Sequence, residues 1–220
     1  MDEATLELIR TRQLSAAVRR IEADGLHEEV AWRYDEAVRE LYWKAKDLPG
    51  AISIGRAGIA HCLRRMDEAS EPGARDFFGT RAKAMAFNVA SFSWPGWAEQ
   101  GIVPSDADLA AGMDAAKLNL RLAEELSKPA DRVEDARWLL GAHLLAAGDV
   151  VGALREFEQS GPERRPLYRG YALVAEIALG RDGADVRFDD LVARLREDRD
   201  DDSSAHADQL ATARRVFAGR

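Results

Sequence analysis

Residues 132–166, RVEDARWLLGAHLLAAGDVVGALREFEQSGPERRP, decide the fold of this 220-residue chain. Apolar side chains recur at a helical period through the first half of this stretch. Gly148 and Asp149 then interrupt the pattern, and a second amphipathic segment follows directly. Small residues, Gly141 and Ala153, stand where two antiparallel helices would have to touch. The stretch is therefore predicted to form a tight helical hairpin.

The composition of the whole chain favours the same kind of structure. Ala and Leu together account for 62 residues, whereas Val, Ile and Thr account for only 23. Alanine loses no side-chain freedom in a helix and β-branched side chains do, so this ratio favours helix throughout. No alternating apolar and polar run is long enough to predict a strand. The fold class is predicted to be all-α.

The seven prolines mark the ends and first turns of the predicted helices. Short links such as ADG, DLPG and SEPG separate these helices, so consecutive helices are expected to be antiparallel neighbours. Ser105, followed by two acidic residues, is predicted to cap a helix start. The ten predicted helices span residues 2–23, 27–46, 51–68, 74–93, 106–127, 131–147, 150–160, 166–180, 185–197 and 204–218.

The hairpin resembles one unit of the tetratricopeptide-repeat family. The residues that carry the resemblance occupy positions which the family fills with Leu, Gly, Tyr, Ala and Phe, and they are Leu140, Gly141, Leu144, Ala153 and Phe157. The chain departs from the pattern at Arg137, Ser160 and Pro166, where the family has Trp, Ala and an earlier Pro. The resemblance implies antiparallel hairpins stacked as a superhelix, with partners bound along the first helix of each hairpin.

A spacing within the chain supports the repeat independently. The order small, large, small, proline at residues 153–166 also occurs 37 residues earlier, at residues 116–129. The chain is thus predicted to be a single helical-repeat domain over 1–220, with its best repeat at 132–166 and weaker ones at 74–129 and 167–197. Residues 1–70 are predicted to be helical and either continue the array or form an N-terminal cap.

The resemblance places three candidate partner-binding residues on the first helix of the hairpin: Asp135, Trp138 and Leu145. Trp138 would be the anchor, because buried aromatic residues dominate binding energy. Packing of Trp138 against a neighbouring hairpin is the alternative. The family members that bind a C-terminal carboxylate use Lys, Asn and Arg on this face, and their absence here argues against that mode.

A second set of candidates lies in the helix 74–93 and the link after it. Arg81 and Asn88 are polar residues seven apart on a helix that is otherwise largely apolar, so they are assigned to the partner-binding groove. A structural hydrogen bond of Asn88 is the alternative, since an unpaired amide is costly to bury. Trp94 and Trp97 are predicted to form a lid in the 94–105 link, or else to attach that link to the body.

Charge and motif content argue against several other functions. The formal net charge of -8 disfavours a broad nucleic-acid surface, although local arginine clusters keep a regulator as an alternative. No apolar run is long enough for a membrane span, and a single cysteine, Cys62, excludes an intrachain disulfide. Neither metal-ligand spacing nor a catalytic motif is found, so no cofactor and no metal is expected. The alternative clusters are Arg10, Arg12, Arg19 and Arg20, and Arg164, Arg165 and Arg169.

These observations predict a non-catalytic adaptor or assembly module that binds a protein or peptide, and homo-oligomers are compatible with it. A small-molecule-binding protein or enzyme, with a pocket near Asn88 under the 94–105 link, is the main alternative. The Arg to Lys ratio of 26 to 5 and the abundant Ala suit a GC-rich genome, which predicts a bacterial cytoplasmic protein.

Overall fold

A computed structural model describes residues 2–23, 25–163, 165–198 and 201–217. Over these residues the chain forms eleven α-helices and one 3₁₀-helix and has no strand, which confirms the all-α prediction. No helix within the described ranges is long and apolar enough to cross a membrane. The helices are α1 (Glu3–Arg10), α2 (Leu14–Glu22), α3 (His27–Trp43), α4 (Leu48–Glu68), α5 (Pro72–Ser93), the 3₁₀-helix (Pro95–Trp97), α6 (Asp106–Glu125), α7 (Ala130–Ala146), α8 (Val150–Glu158), α9 (Pro166–Ala178), α10 (Ala184–Glu197) and α11 (Asp201–Phe217).

The first predicted helix, 2–23, is wrong as a single element, because α1 and α2 are separate helices. Arg12 between them has a positive φ of 59°, a left-handed conformation that ends a helix. The amide of Gln13 donates to the carbonyl of Leu8 at 2.8 Å and closes the turn. Neither glycine nor proline marks this break. The sequence therefore gives no local signal that one helix ends and another begins here.

Helix starts follow the local capping chemistry. The hydroxyl of the predicted cap Ser105 accepts a hydrogen bond from the amide of Asp108. The carboxylate of Asp108 in turn accepts a hydrogen bond from the amide of Ser105 at 2.9 Å. This capping box confirms the predicted start of α6. Asp149 begins α8 in a similar way, by accepting from the amide of Gly152 at 2.9 Å.

The contacts divide the chain into two compact units. Unit 1 comprises Met1–Ser93 and Pro104–Lys128, and unit 2 comprises Trp94–Val103 and Pro129–Arg220. The helices α1 to α6 belong to unit 1, and α7 to α11 with the 3₁₀-helix belong to unit 2. The single repeat domain over 1–220 stays a prediction.

In unit 1, α4 packs against both α3 and α5. Gly55 and Gly58 allow this close approach, as a Cβ at Gly55 would lie 2.4 Å from Val89 and one at Gly58 would lie 2.7 Å from the sulfur of Met85. The contacts between α3 and α5 advance together along both helices, so these two helices run in the same direction. The contacting pairs are Trp32–Arg81, Asp35–Asn88 and Tyr42–Phe92.

In unit 2, α7 and α8 form the hairpin that the sequence predicts. A Cβ at Gly141 would lie 2.7 Å from the ring of Phe157 and 3.2 Å from the carbonyl oxygen of Ala153. The helices therefore touch at the small residues, as expected. The helix α9 packs on α8, α10 and α11, and its Tyr171 is fully buried among them.

Candidate functional site

Arg81 and Asn88 meet on a residue that the sequence analysis did not single out, Asp35 of α3. The Asn88 amide donates to Asp35 Oδ1 at 3.0 Å, across 53 residues of sequence. Arg81 Nη2 lies 3.0 Å from Asp35 Oδ2 as an ion pair, without the alignment of a hydrogen bond. Arg39, one turn along α3, approaches the same oxygen to 3.4 Å. Asn88 therefore makes a structural hydrogen bond, which is the alternative considered for it.

The Asp35 side chain is 4% exposed, so these contacts replace the water that a charged group needs. The Arg81 side chain is 11% exposed, and its guanidinium lies 3.7 Å from the centre of the Trp32 ring. This stacked arrangement is a favourable cation–π contact. The network joins α3 to α5 and fixes the position of Trp32.

Two tryptophans are exposed on the outer face of α3. Trp32 is 54% exposed and Trp43 is 55% exposed, which is unusual for side chains of this size. They are eleven residues apart, three helical turns, so they lie on the same face. Glu36 and Arg39 are exposed between them on that face. We name the four residues Trp32, Glu36, Arg39 and Trp43 the α3 stripe.

The α3 stripe borders a surface depression of about 420 Å³. Its remaining lining residues are charged and come from the same helix and its end: Asp35, Glu40 and Lys44. Trp43 is supported from one side by Phe92 of α5, with ring centres 5.8 Å apart. The depression thus combines two tryptophan side chains with charged groups of both signs.

In unit 2, the candidates Trp138 and Leu145 are buried, with exposures of 5% and 3%. The Trp138 ring stacks almost parallel on Tyr168, with ring centres 5.7 Å apart. Trp138 thus packs inside unit 2, which is the alternative to a partner-binding role. A partner could reach it only if Tyr168 and the other side chains around it moved away.

The candidate lid residues belong to the same aromatic cluster. Trp94 is 1% exposed, and its indole N–H donates to the carbonyl of Ala142 on α7 at 2.9 Å. Its ring also packs beside Phe217 of α11, with centres 5.8 Å apart. Trp97 is half-buried against Trp94, with their ring centres 5.0 Å apart. Trp94 therefore attaches its segment to the body of unit 2. This is the second of the two roles predicted for it, the first being a lid.

Asp135 lies at the edge of this cluster and joins α7 to α9. It accepts a hydrogen bond from the Tyr168 hydroxyl at 2.6 Å and forms an ion pair with Arg165. Burial, with the hydrogen bond to Asp135, raises the pKa of Tyr168 well above its usual value. The structure thus places the candidates in two groups, one on Asp35 in unit 1 and one around Trp94 in unit 2.

A buried histidine lies elsewhere in unit 1. His61 Nδ1 is 3.2 Å from the Glu22 carboxylate, which also accepts a hydrogen bond from the Tyr34 hydroxyl at 3.0 Å. Burial lowers the pKa of His61, and the contact with Glu22 offsets only part of this effect. The cluster ties α2 to α3 and α4.

The neighbouring Cys62 is buried and unsuited to nucleophilic chemistry. Burial raises the pKa of its thiol to about 12, so the thiolate is not formed near neutral pH. The described residues contain no group of three or more His, Cys, Asp or Glu arranged to hold a metal ion. Asp198, directly after α10, accepts a hydrogen bond from the Ser203 hydroxyl at 3.1 Å.

The candidate arginine clusters are largely engaged with carboxylates. Arg10 pairs with Glu3 at 2.9 Å, Arg12 with Asp47 at 3.1 Å and Arg20 with Asp2 at 3.2 Å. In the second cluster, Arg169 lies 3.5 Å from Glu176, and Arg165 pairs with Asp135. Arg164 lies outside the described residues. These pairs reduce the positive potential that a phosphate backbone would meet.

No protein-family model, curated protein or solved structure matched this chain.

Proposed function

We propose that this protein is a non-catalytic protein-binding module of tetratricopeptide-repeat-like type, with its partner surface on unit 1 along α3. The observation that carries the proposal is the α3 stripe, where two half-exposed tryptophans flank a glutamate and an arginine. Tryptophan and arginine are the side chains that most often dominate binding energy at protein interfaces. A soluble domain rarely leaves two tryptophans open to water on one helical face.

The arrangement of unit 1 supports a repeat-like groove. In the tetratricopeptide-repeat family the first helices of successive hairpins lie side by side and face the partner. Here α3 and α5 run in the same direction, and α4 packs behind both of them. The two outer helices meet at the Asp35 network, which holds Trp32 against Arg81. The surface is thus held in place before a partner arrives, which lowers the entropic cost of binding.

The aromatic surface of unit 2 is a less suitable partner site. The chain's own 94–103 segment covers α7 there through Trp94, and Phe217 of α11 packs against Trp94 in turn. A partner at Trp138 would have to displace these contacts. Partner binding by Asp135, Trp138 and Leu145 remains a prediction, and the proposal places the first contact on α3.

The experiment is a pull-down with the immobilised protein from a lysate of the source cells, followed by reconstitution with the purified partner. The test variant carries Trp32→Ser and Trp43→Ser. Its matched control carries Val151→Ser and Val186→Ser, two apolar residues of unit 2 that are 67% and 64% exposed. We expect the test variant to weaken binding by at least about tenfold, and the control to leave it unchanged.

Equal binding by the wild type and the Trp32→Ser, Trp43→Ser variant would remove the α3 stripe from consideration as the partner surface. A small molecule that co-purifies in place of a protein would favour a pocket near Asn88 instead. Binding to nucleic acid that falls steeply with salt would favour the regulator. A bacterial cytoplasmic location is part of the proposal and rests on the composition alone.

A further inference from the structure

The α3 stripe has a nearly palindromic sequence: reversing it leaves a tryptophan at each end and exchanges the glutamate with the arginine. Its residues occur in the order Trp32, Glu36, Arg39, Trp43, with spacings of four, three and four. A point midway between residues 37 and 38 relates Trp32 to Trp43 and Glu36 to Arg39. Successive residues turn by about 100°, which keeps the four side chains within roughly 60° of one another.

This pattern is the one that a two-fold symmetric contact requires. When two copies of a helix pack antiparallel with their midpoints together, each residue meets the other copy's residue at the same distance on the opposite side of the midpoint. Each Trp32 would then lie against a Trp43, and each Glu36 would lie opposite an Arg39. The two tryptophan pairs lie at the ends of the contact and the two ion pairs near its centre.

We propose that the α3 stripe binds a second copy of this chain, as an antiparallel two-fold dimer. This inference rests on the proposed function, since it names the partner of the same surface. Two facts favour a second copy over an unrelated protein. Reversal of the stripe exchanges the positions of Glu36 and Arg39, so the charges of one copy are complementary to those of an antiparallel second copy. The two exposed tryptophans lie at equal distances from the midpoint of the stripe.

Glu36 and Arg39 are both exposed and can reach across such a contact. The Arg39 side chain is 59% exposed, although it also lies 3.4 Å from the Asp35 carboxylate. Arg81 and Asn88 hold that carboxylate from the other side, so Arg39 can turn outward without leaving Asp35 unpaired. One helical face is a small contact, and we therefore expect a dissociation constant in the micromolar range, on the order of 1–100 µM.

The first test is sedimentation equilibrium of the purified chain from about 1 to about 300 µM, a range set by the expected affinity. We expect the wild type to pass from monomer to dimer over this range. The variant Trp32→Ser with Trp43→Ser should stay monomeric. The control Arg56→Glu, at an exposed position on α4, should dimerise as the wild type does. Far-UV circular dichroism and thermal melting show whether each variant is folded.

The second test exchanges charges, which distinguishes a specific two-fold contact from nonspecific association. Glu36→Arg alone and Arg39→Glu alone each bring like charges together, and each should raise the dissociation constant by at least about tenfold. The double variant Glu36→Arg with Arg39→Glu restores the pairs and should return to within about threefold of the wild type.

Mixing the two single variants gives the sharpest result. A chain with Glu36→Arg carries two positive charges in the stripe, and a chain with Arg39→Glu carries two negative charges. The mixture should therefore form a heterodimer about as tight as the wild-type homodimer. If Arg39→Glu does not fold because its carboxylate lies beside Asp35, the Glu36→Arg chain and the double tryptophan variant still test the contact.

Three results would overturn the dimer. A wild-type chain that stays monomeric to about 300 µM would refute the dimer. The proposed function would stand in that case if the wild type binds another protein and the Trp32→Ser, Trp43→Ser variant does not. A dimer that is unaffected by the stripe variants would place self-association on another surface. Charge-exchanged mixtures no tighter than the single variants would refute the antiparallel register.

Discussion

Replacement of Asp35 by alanine should be one of the most damaging single changes in unit 1. The Asp35 side chain is 4% exposed, and its carboxylate accepts a hydrogen bond from Asn88 at 3.0 Å. Arg81 Nη2 lies 3.0 Å from the same carboxylate, and 11% of the Arg81 side chain is exposed. Asp35→Ala leaves the buried Arg81 without a counter-ion, which costs about 3–5 kcal/mol. Arg39 adds little to this, since an ion pair at a 59% exposed side chain contributes at most about 1 kcal/mol. The expected loss is thus about 3–5 kcal/mol, a large part of the roughly 5–15 kcal/mol that stabilises a typical domain.

The assay is urea-induced unfolding followed by far-UV circular dichroism. If the two units unfold separately, only one transition should move. The matched control is Glu125→Ala on α6. The Glu125 side chain is 47% exposed, and its carboxylate lies 3.7 Å from Arg121. Loss of this exposed pair should cost less than about 1 kcal/mol.

A double variant shows whether the cost comes from a buried charge. Replacing both members of the pair, in Asp35→Leu with Arg81→Leu, removes the unpaired charge and should recover at least about half of the stability lost in Asp35→Ala. The reasoning is refuted if Asp35→Ala costs no more than the Glu125→Ala control. It is equally refuted if the double variant is less stable than Asp35→Ala.

Three further results are expected. Trp94→Phe removes the indole hydrogen bond to the Ala142 carbonyl and should destabilise unit 2 by about 1–3 kcal/mol, whereas Trp43→Phe at a 55% exposed position should change the free energy of unfolding by less than about 0.5 kcal/mol; equal effects in a denaturant titration would contradict this. Because burial lowers the pKa of His61, the folded state favours the neutral ring, so its contribution to stability is complete above the ordinary pKa of 6.5 and is lost as the pH falls below that value. Urea midpoints measured between pH 7.5 and pH 5 should fall more steeply for the wild type than for His61→Gln, which has no titrating ring, and parallel curves would count against the assignment. The Cys62 thiol, whose pKa burial raises to about 12, should resist a thiol reagent at pH 8 until the protein unfolds, and rapid labelling of the native chain would show that the site opens easily.

Local residue chemistry explains why most helices could be predicted. Glycine, proline and capping residues act within one turn of the chain, so Ser105 marks the start of α6 and Gly148 the end of α7 without help from distant residues. The break at Arg12 carries no such signal, because an ordinary residue adopts the left-handed conformation there. Prediction therefore joined α1 and α2 into one helix.

The candidate site was found only in part. Arg81 and Asn88 stood out as polar residues on a largely apolar helix, but Asp35, 53 residues before Asn88, did not. The available signal was an aspartate bordering the buried face of α3, between the buried residues Tyr34 and Ala37. A buried charge predicts an opposite charge nearby, although it does not say which helix supplies it.

The sequence by itself determined the all-α class, the position of most helices and the close contact at Gly141 in the 132–166 hairpin, because these depend on neighbours along the chain. Only the tertiary structure decided which tryptophans face water. Trp94 and Trp138 are buried, while Trp32 and Trp43 are exposed, although all four lie in or directly beside α-helices. Burial of a side chain depends on which distant segment comes to lie over it. Residues of α7, α9 and α11 surround Trp94 within unit 2. The two tryptophans of α3 stay half-open to water at the surface where we propose that a second copy of the chain binds.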